Sequence, residues 1–214
     1  LERRADTPNA PPVIIGYAAV FYRADDPGTE YRLYQDAFER VLPGAFDAAL
    51  REGDVVRGLT NHEDNWLLGR SDLGTVRLSI DRVGLRYEID PPDTQAGRDT
   101  VALLQRGDLD GSSFGFRIYG GKRGKAAWIE EIRDGRQVSV REIQECELVD
   151  VGPVTYPAYL SASAGVRSDA YADEARADRD RWLARQAAEY SAESVPDDWE
   201  MDAAIAGADL LRIG

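Results

Sequence analysis

The sequence predicts an α+β, β-rich body followed by a helical tail. Between about residues 13 and 160, short runs rich in β-branched and aromatic residues alternate with Gly, Pro and Asp turns. Only two stretches in that span carry a helical pattern. From residue 161 onward the composition shifts to Ala, Arg, Asp and Glu, with few large apolar side chains.

The elements follow in order. Residues 1–12 read as a flexible leader, polar and Pro-containing, with no apolar core of a signal peptide. Val13 to Tyr22 is a long apolar run and a buried strand. Arg23 to Thr29 is a loop, and Tyr31 to Phe38 a strand that gives way to a turn at Val41-Leu42-Pro43-Gly44. Ala45 to Glu52 has helical composition and Gly53 is its stop. Val55 to Thr60 is a short strand leading to Asn61-His62-Glu63, with Trp66 to Arg70 following. Thr75–Ile80 and Leu85–Ile89 alternate about Asp81–Gly84 and form a hairpin. Asp93 or Thr94 caps a helix that runs to about Arg106. Gly107 to Asp110 turns the chain into Gly111-Ser112-Ser113-Phe114-Gly115-Phe116, a serine pair at the mouth of a strand. Ala126–Ile132 and Gln137–Ile143 flank the turn Asp134-Gly135-Arg136. Glu147 to Val151 is a further strand, and Gly152 to Tyr159 an ordered loop. Residues 168–190 and 202–213 read as tail helices, with a linker between them. The domain organisation is therefore a leader over 1–12, a body over 13–160 and an acidic, helical or partly disordered tail over 161–214.

Composition narrows the function. The formal charge of −13 opposes binding to nucleic acid or to an anionic membrane. No apolar run reaches the length of a transmembrane helix. One cysteine, Cys146, and one histidine, His62, exclude a disulfide framework and a transition-metal set, so neither a metal nor a cofactor is expected. Gly120-Gly121-Lys122-Arg123-Gly124 lacks the strand-to-helix setting of a phosphate loop and reads as a hairpin loop.

One chemistry remains. A serine held before a packed strand becomes a nucleophile when a base reaches it, and His62 is the single imidazole available. On pattern alone His62 reads first as a surface histidine, and Ser113 as a common turn residue. The stretch is not a nucleophile elbow, because a strand rather than a helix follows. Candidate acids include Glu63, Asp64, Asp110, Glu145, Glu147 and Asp150. Strict alternation puts Asp150 with Leu148 on one face and Glu147 with Val149 on the other, leaving Asp150 either buried with a partner or exposed at an edge.

Six segments together resemble a known family. They are Gly16-Tyr17-Ala18-Ala19-Val20-Phe21, Val41 to Phe46, Asn61-His62-Glu63 with Leu68-Gly69-Arg70, the hairpin at Gly84-Leu85, Gly111 to Phe116, and Leu148 to Tyr159. In this order, over residues 13–160, they resemble the prohead (capsid maturation) proteases of tailed bacteriophages, serine proteases of the herpesvirus-assemblin type. The resemblance implies a β-barrel surrounded by a few helices. His62 matches the family histidine and Ser113 the family serine, while Ser112 stands where a bulky apolar residue is usual. The late-strand acid, commonly Glu before Val-Ser, falls on Asp150, with Glu147 as the alternative. The implied substrates are scaffold and the major capsid protein, and the enzyme itself. Its implied place is the assembling procapsid in the host cytoplasm, with self-association through the 168–190 helix. The rival reading is a non-enzymatic capsid-assembly or scaffolding protein, in which His62 and Ser113 are incidental.

Overall fold

The computed structural model describes residues 11–34, 36–119 and 121–167. The expected tail helices, and the leader up to residue 10, lie outside the described residues.

Eleven strands and two α-helices make up this part. They are β1 (Val13–Val20), β2 (Glu30–Tyr34), β3 (Ala37–Val41), α1 (Asp47–Glu52), β4 (Arg57–Leu59), β5 (Leu67–Arg70), β6 (Val76–Ile80) and β7 (Gly84–Ile89). After them come α2 (Gln95–Arg106), β8 (Gly111–Arg117), β9 (Gly124–Arg133), β10 (Arg136–Val154) and β11 (Ala164–Arg167). The α+β, β-rich expectation is borne out. The expected hairpin is β6–β7, closed where Asp81 Oδ1 accepts the Val83 and Gly84 amides. Both helices end on left-handed glycines, Gly53 and Gly107, and Thr94 Oγ1 caps α2 by accepting from the Gly97 amide.

Three elements differ from the sequence reading. Tyr31–Phe38 is not one strand but parts of the β2–β3 hairpin, because β3 is recruited in parallel register to β10. The two expected strands around residues 137–151 are one strand, β10, which continues through Val154 into the expected loop. Its interruptions are bulges, at Gln144 and at Val149, which bend a strand without ending it. β11 pairs with β1 beyond residue 160, in a segment whose composition carries no strand signal.

β10 organises the fold. Its first half lies between β3 and β9, its second between β4 and β8, so it belongs to both ends of one large sheet. The other sheet has the order β11-β1-β7-β6. Backbone contacts join the sheets at the Gly111–Ser163 bridge, where the Ser112 amide donates to Ala162 O and the Ala164 amide to Asp110 O, and where the Tyr22 amide donates to Val41 O at 2.9 Å. The strand pairing closes no ring among the described residues, so the barrel expected from the resemblance is not what the pairing gives.

The core between the sheets holds Ile14, Phe46, Leu85, Tyr87, Ile89, Leu148 and Val151, all almost fully buried. Phe114 sits at its centre, edge-on to Phe46 at 5.4 Å and stacked on Phe116 at 4.9 Å and Tyr159 at 6.0 Å. A phenylalanine so enclosed is worth about 3–5 kcal/mol against truncation to Ala. It therefore holds the residue before it, Ser113, in a fixed place. Cys146 is buried too, and that burial pushes its thiol up to about 12, which leaves it unreactive at neutral pH.

Candidate active site

Strand register separates the two serines. Along β8, Ser112 and Phe114 face one side, Ser113 and Gly115 the other. Ser112 faces the core, fully buried, with its Oγ bonded to Tyr87 Oη at 2.7 Å and donating to Gly152 O. Ser113 faces away from the core, opposite Gly152 of β10, and among the described residues its Oγ makes no hydrogen bond, to His62 or to any other residue. The Ser112 hydroxyl is committed to structure and that of Ser113 is not.

The bulge at Val149 decides which way Asp150 points. Leu148 lies opposite Phe116, but Asp150 lies opposite Gly115, one residue along β8 rather than two. Asp150 therefore points away from Leu148, correcting the face that strict alternation assigns to it. The extra residue turns Asp150 onto the face of Ser113. Its carboxylate occupies the space over Gly115, where a Cβ would come within 2.1 Å of Asp150 Oδ2. At that position the second Gly of the Gly-Ser-Ser-Phe-Gly run is required by contact.

His62 reaches this carboxylate through a strained turn. β4 runs parallel to the end of β10 and stops at Leu59. Asn61 and His62 then both adopt left-handed backbone, at φ 54° and 58°, which costs about 1–2 kcal/mol per non-glycine residue. The turn is held by its neighbours. The Asn61 amide donates to Pro153 O at 2.9 Å, and Asn61 Oδ1 accepts the Thr155 amide at 2.8 Å. Behind it, Thr60 Oγ1 and Thr100 Oγ1 bond at 2.8 Å, tying the turn to α2. The chain thus doubles back over the end of β10, and His62 Nδ1 stands 2.6 Å from Asp150 Oδ1.

The electrostatics of the pair follow from its burial. The Asp150 side chain is 4% exposed and that of His62 30%. A buried carboxylate needs a donor, and the Nδ1 proton is the one within reach. With that proton on Nδ1, Nε2 presents a lone pair, the state a general base requires. The neighbours of Ser113, Gly115 and Gly152, add no side chain above it.

A family model described as caudovirus prohead serine protease matches residues 1–176. The chain belongs to this family. No curated protein and no solved structure matches it. Family membership makes the chain a serine peptidase of capsid maturation in tailed phages.

In this prohead protease Glu147, the alternative acid, is engaged elsewhere. It accepts the Lys122 amide at 2.7 Å and lies 3.5 Å from Arg117. It serves the turn before β9 rather than His62. A surface depression of about 290 Å³ is lined by residues such as Tyr22, Asp26, Glu30 and Arg133 and includes neither His62 nor Ser113. Among the described residues, no three His, Cys, Asp or Glu side chains gather as a metal-ligand set.

Sequence reasoning missed the supports of the site. Asn61 was legible in principle, since Asn tolerates left-handed backbone better than most residues. The Val149 bulge carried no signal, because Leu-Val-Asp-Val reads as plain alternation.

Proposed function

We propose that this prohead protease is an endopeptidase with His62 as base, Ser113 as nucleophile and Asp150 as the residue that orients the imidazole. The observation that carries the reading is the 2.6 Å contact between His62 Nδ1 and Asp150 Oδ1, on the face of β10 that Ser113 shares. His62 Nε2 takes the Ser113 Oγ proton as the oxygen attacks a peptide carbonyl. Backbone amides stabilise the oxyanion of the tetrahedral intermediate. The C–N bond then breaks and His62 returns the proton to the leaving amine. Water, deprotonated by His62, releases the acyl group from Ser113. Asp150 keeps Nδ1 protonated throughout and offsets the charge of the imidazolium.

The substrates in this reading are segments of scaffold and of the major capsid protein, and the protease itself, inside the assembling procapsid. The bridge at Gly111–Ser163 and the bond between Tyr22 and Val41 support an assemblin-like barrel held together at narrow seams rather than by continuous strand pairing. The unit comprises a leader, a protease body and a tail that contacts other copies.

The test is co-expression with the capsid protein of the same phage, read by mass spectrometry. Ser113→Ala should abolish every cleavage that the native chain makes, while Ser112→Ala retains them in the folded fraction. Cleavage that persists in Ser113→Ala overturns the assignment.

A further inference from the structure

A second feature lies on the reactive face of the sheet. Asp150 is flanked on β4 by Arg57, in parallel register, and Arg57 is itself opposite Arg70 of β5. Residues directly opposite share a face, so both arginines stand on the side of Ser113. Further along β8 on the same face is Arg117. Arg57, Arg117 and Lys122 line a depression of about 190 Å³ together with Asp54, Val55, Glu147, Leu148 and Val149. That volume suits one or two side chains.

The charges of this depression do not cancel. Asp54 is taken up by Arg123 and by the Leu148 amide. Glu147 is held by the Lys122 amide and only distantly by Arg117. Arg57 is exposed and has no hydrogen-bond or ion-pair partner among the described residues. Arg70 leaves its Nε buried without a partner, with Asp72 holding another nitrogen. Arg57 and Arg70 lie opposite in register on neighbouring strands, and Asp72 neutralises Arg70 but not Arg57. In a chain of net charge −13, such a site is set apart from its surroundings.

We propose that this depression is a subsite for an acidic side chain of the peptide substrate. Strands advance about 3.3 Å per residue, so Arg117 lies roughly 13 Å along β8 from Ser113 and Gly115 about half that. An extended peptide laid along β8 spans this distance in two to four residues. An Asp or Glu that far from the scissile bond meets Arg57 and Arg117, whose planar forks suit carboxylates. The proposal rests on the serine-protease reading above.

The experiment incubates the full chain with a peptide library made by digesting a bacterial proteome, with Ser113→Ala as control, and maps new termini by mass spectrometry. Asp and Glu should be enriched at one fixed position two to four residues from the cut. Synthetic peptides with Glu, Gln or Lys there should then differ in kcat/KM by about ten-fold for Glu over Gln at low salt, the gap shrinking as salt rises. Arg57→Glu and Arg117→Glu should each reverse the Glu-to-Lys ratio. The ratio is read within one enzyme, so a general loss of turnover cancels, and either variant suffices if the other does not fold. Cleavage without acidic enrichment, or a preference unchanged by both reversals, overturns the subsite while leaving the protease standing. No cleavage beyond the Ser113→Ala control overturns both.

Discussion

Gly115 and Asp150 face each other across β8 and β10, and a methyl group on Gly115 would sit 2.1 Å from Asp150 Oδ2. The buried carboxylate has its place because its neighbour has no side chain. Gly115→Ala must push Asp150 off His62 or bend β8 beside Ser113. A misplacement of about 1 Å costs on the order of 10²-fold in rate. We expect kcat to fall by about that factor, measured on any peptide that the native chain cleaves. Full activity in Gly115→Ala would remove Asp150 from the mechanism.

Asp150 and Glu147 lie three residues apart on one strand and have different partners. Asp150→Asn keeps the shape but presents an amide to His62 Nδ1, favouring the wrong tautomer. Turnover should drop by on the order of 10³- to 10⁴-fold. Glu147→Gln loses the bonds to the Lys122 amide and Arg117 but touches nothing at His62, so on a peptide with no acidic residue its turnover should fall far less than that of Asp150→Asn. The reverse ranking in a kinetic assay would move the role to Glu147.

Asn61 carries the strained turn with one backbone and one side-chain bond, to Pro153 and Thr155. Asn61→Gly relieves the left-handed backbone but loses the Thr155 bond, whereas Asn61→Ala loses the bond and keeps the strain. Activity should fall in the order Asn, Gly, Ala, with the Ala variant lower by about ten-fold or more through the 1–2 kcal/mol cost of left-handed backbone. Peptide kinetics beside circular dichroism check the order. Equal activity of all three would show that the turn holds His62 without Asn61.

Glu39 provides a pH dependence away from the site. It is 3% exposed, bonded to Tyr159 Oη at 2.9 Å and to Arg141 Nε at 2.6 Å. Burial raises its carboxyl above the usual range, and the bonds to Arg141 and Tyr159 only partly oppose that rise. The folded chain thus holds this proton to higher pH than the unfolded chain does. The contribution is present below the ordinary glutamate range and is lost as pH rises through the folded value. Thermal unfolding of Glu39→Gln against the native chain should show the difference shifting in favour of Gln as pH rises from 4 to 7. A difference independent of pH would mean that Glu39 ionises as it does in the unfolded chain.

Much of the fold was legible. The β6–β7 hairpin, both α-helices with their glycine stops and the strand after the serine pair each follow from local chemistry: alternation, capping and turn residues. What misled was long-range pairing. Tyr31–Phe38 reads as one strand because nothing local shows that Ala37–Val41 will join a strand about a hundred residues away. β11 has no strand composition and exists because β1 offers it an edge.

The candidate site divides in the same way. By itself the sequence determined the chemical inventory: one imidazole, a serine before a packed aromatic strand, and a short set of acids. Those are matters of composition and local pattern. Only the tertiary structure decided which hydroxyl is free and which acid meets the imidazole. Both decisions rest on register. Ser112 is spent on Tyr87, on a strand 25 residues earlier, and Asp150 changes face through a bulge that exists only when β10 pairs with β8. A period of two along a strand makes one extra residue enough to exchange core for site, and no single strand contains the information about its partner that creates that extra residue.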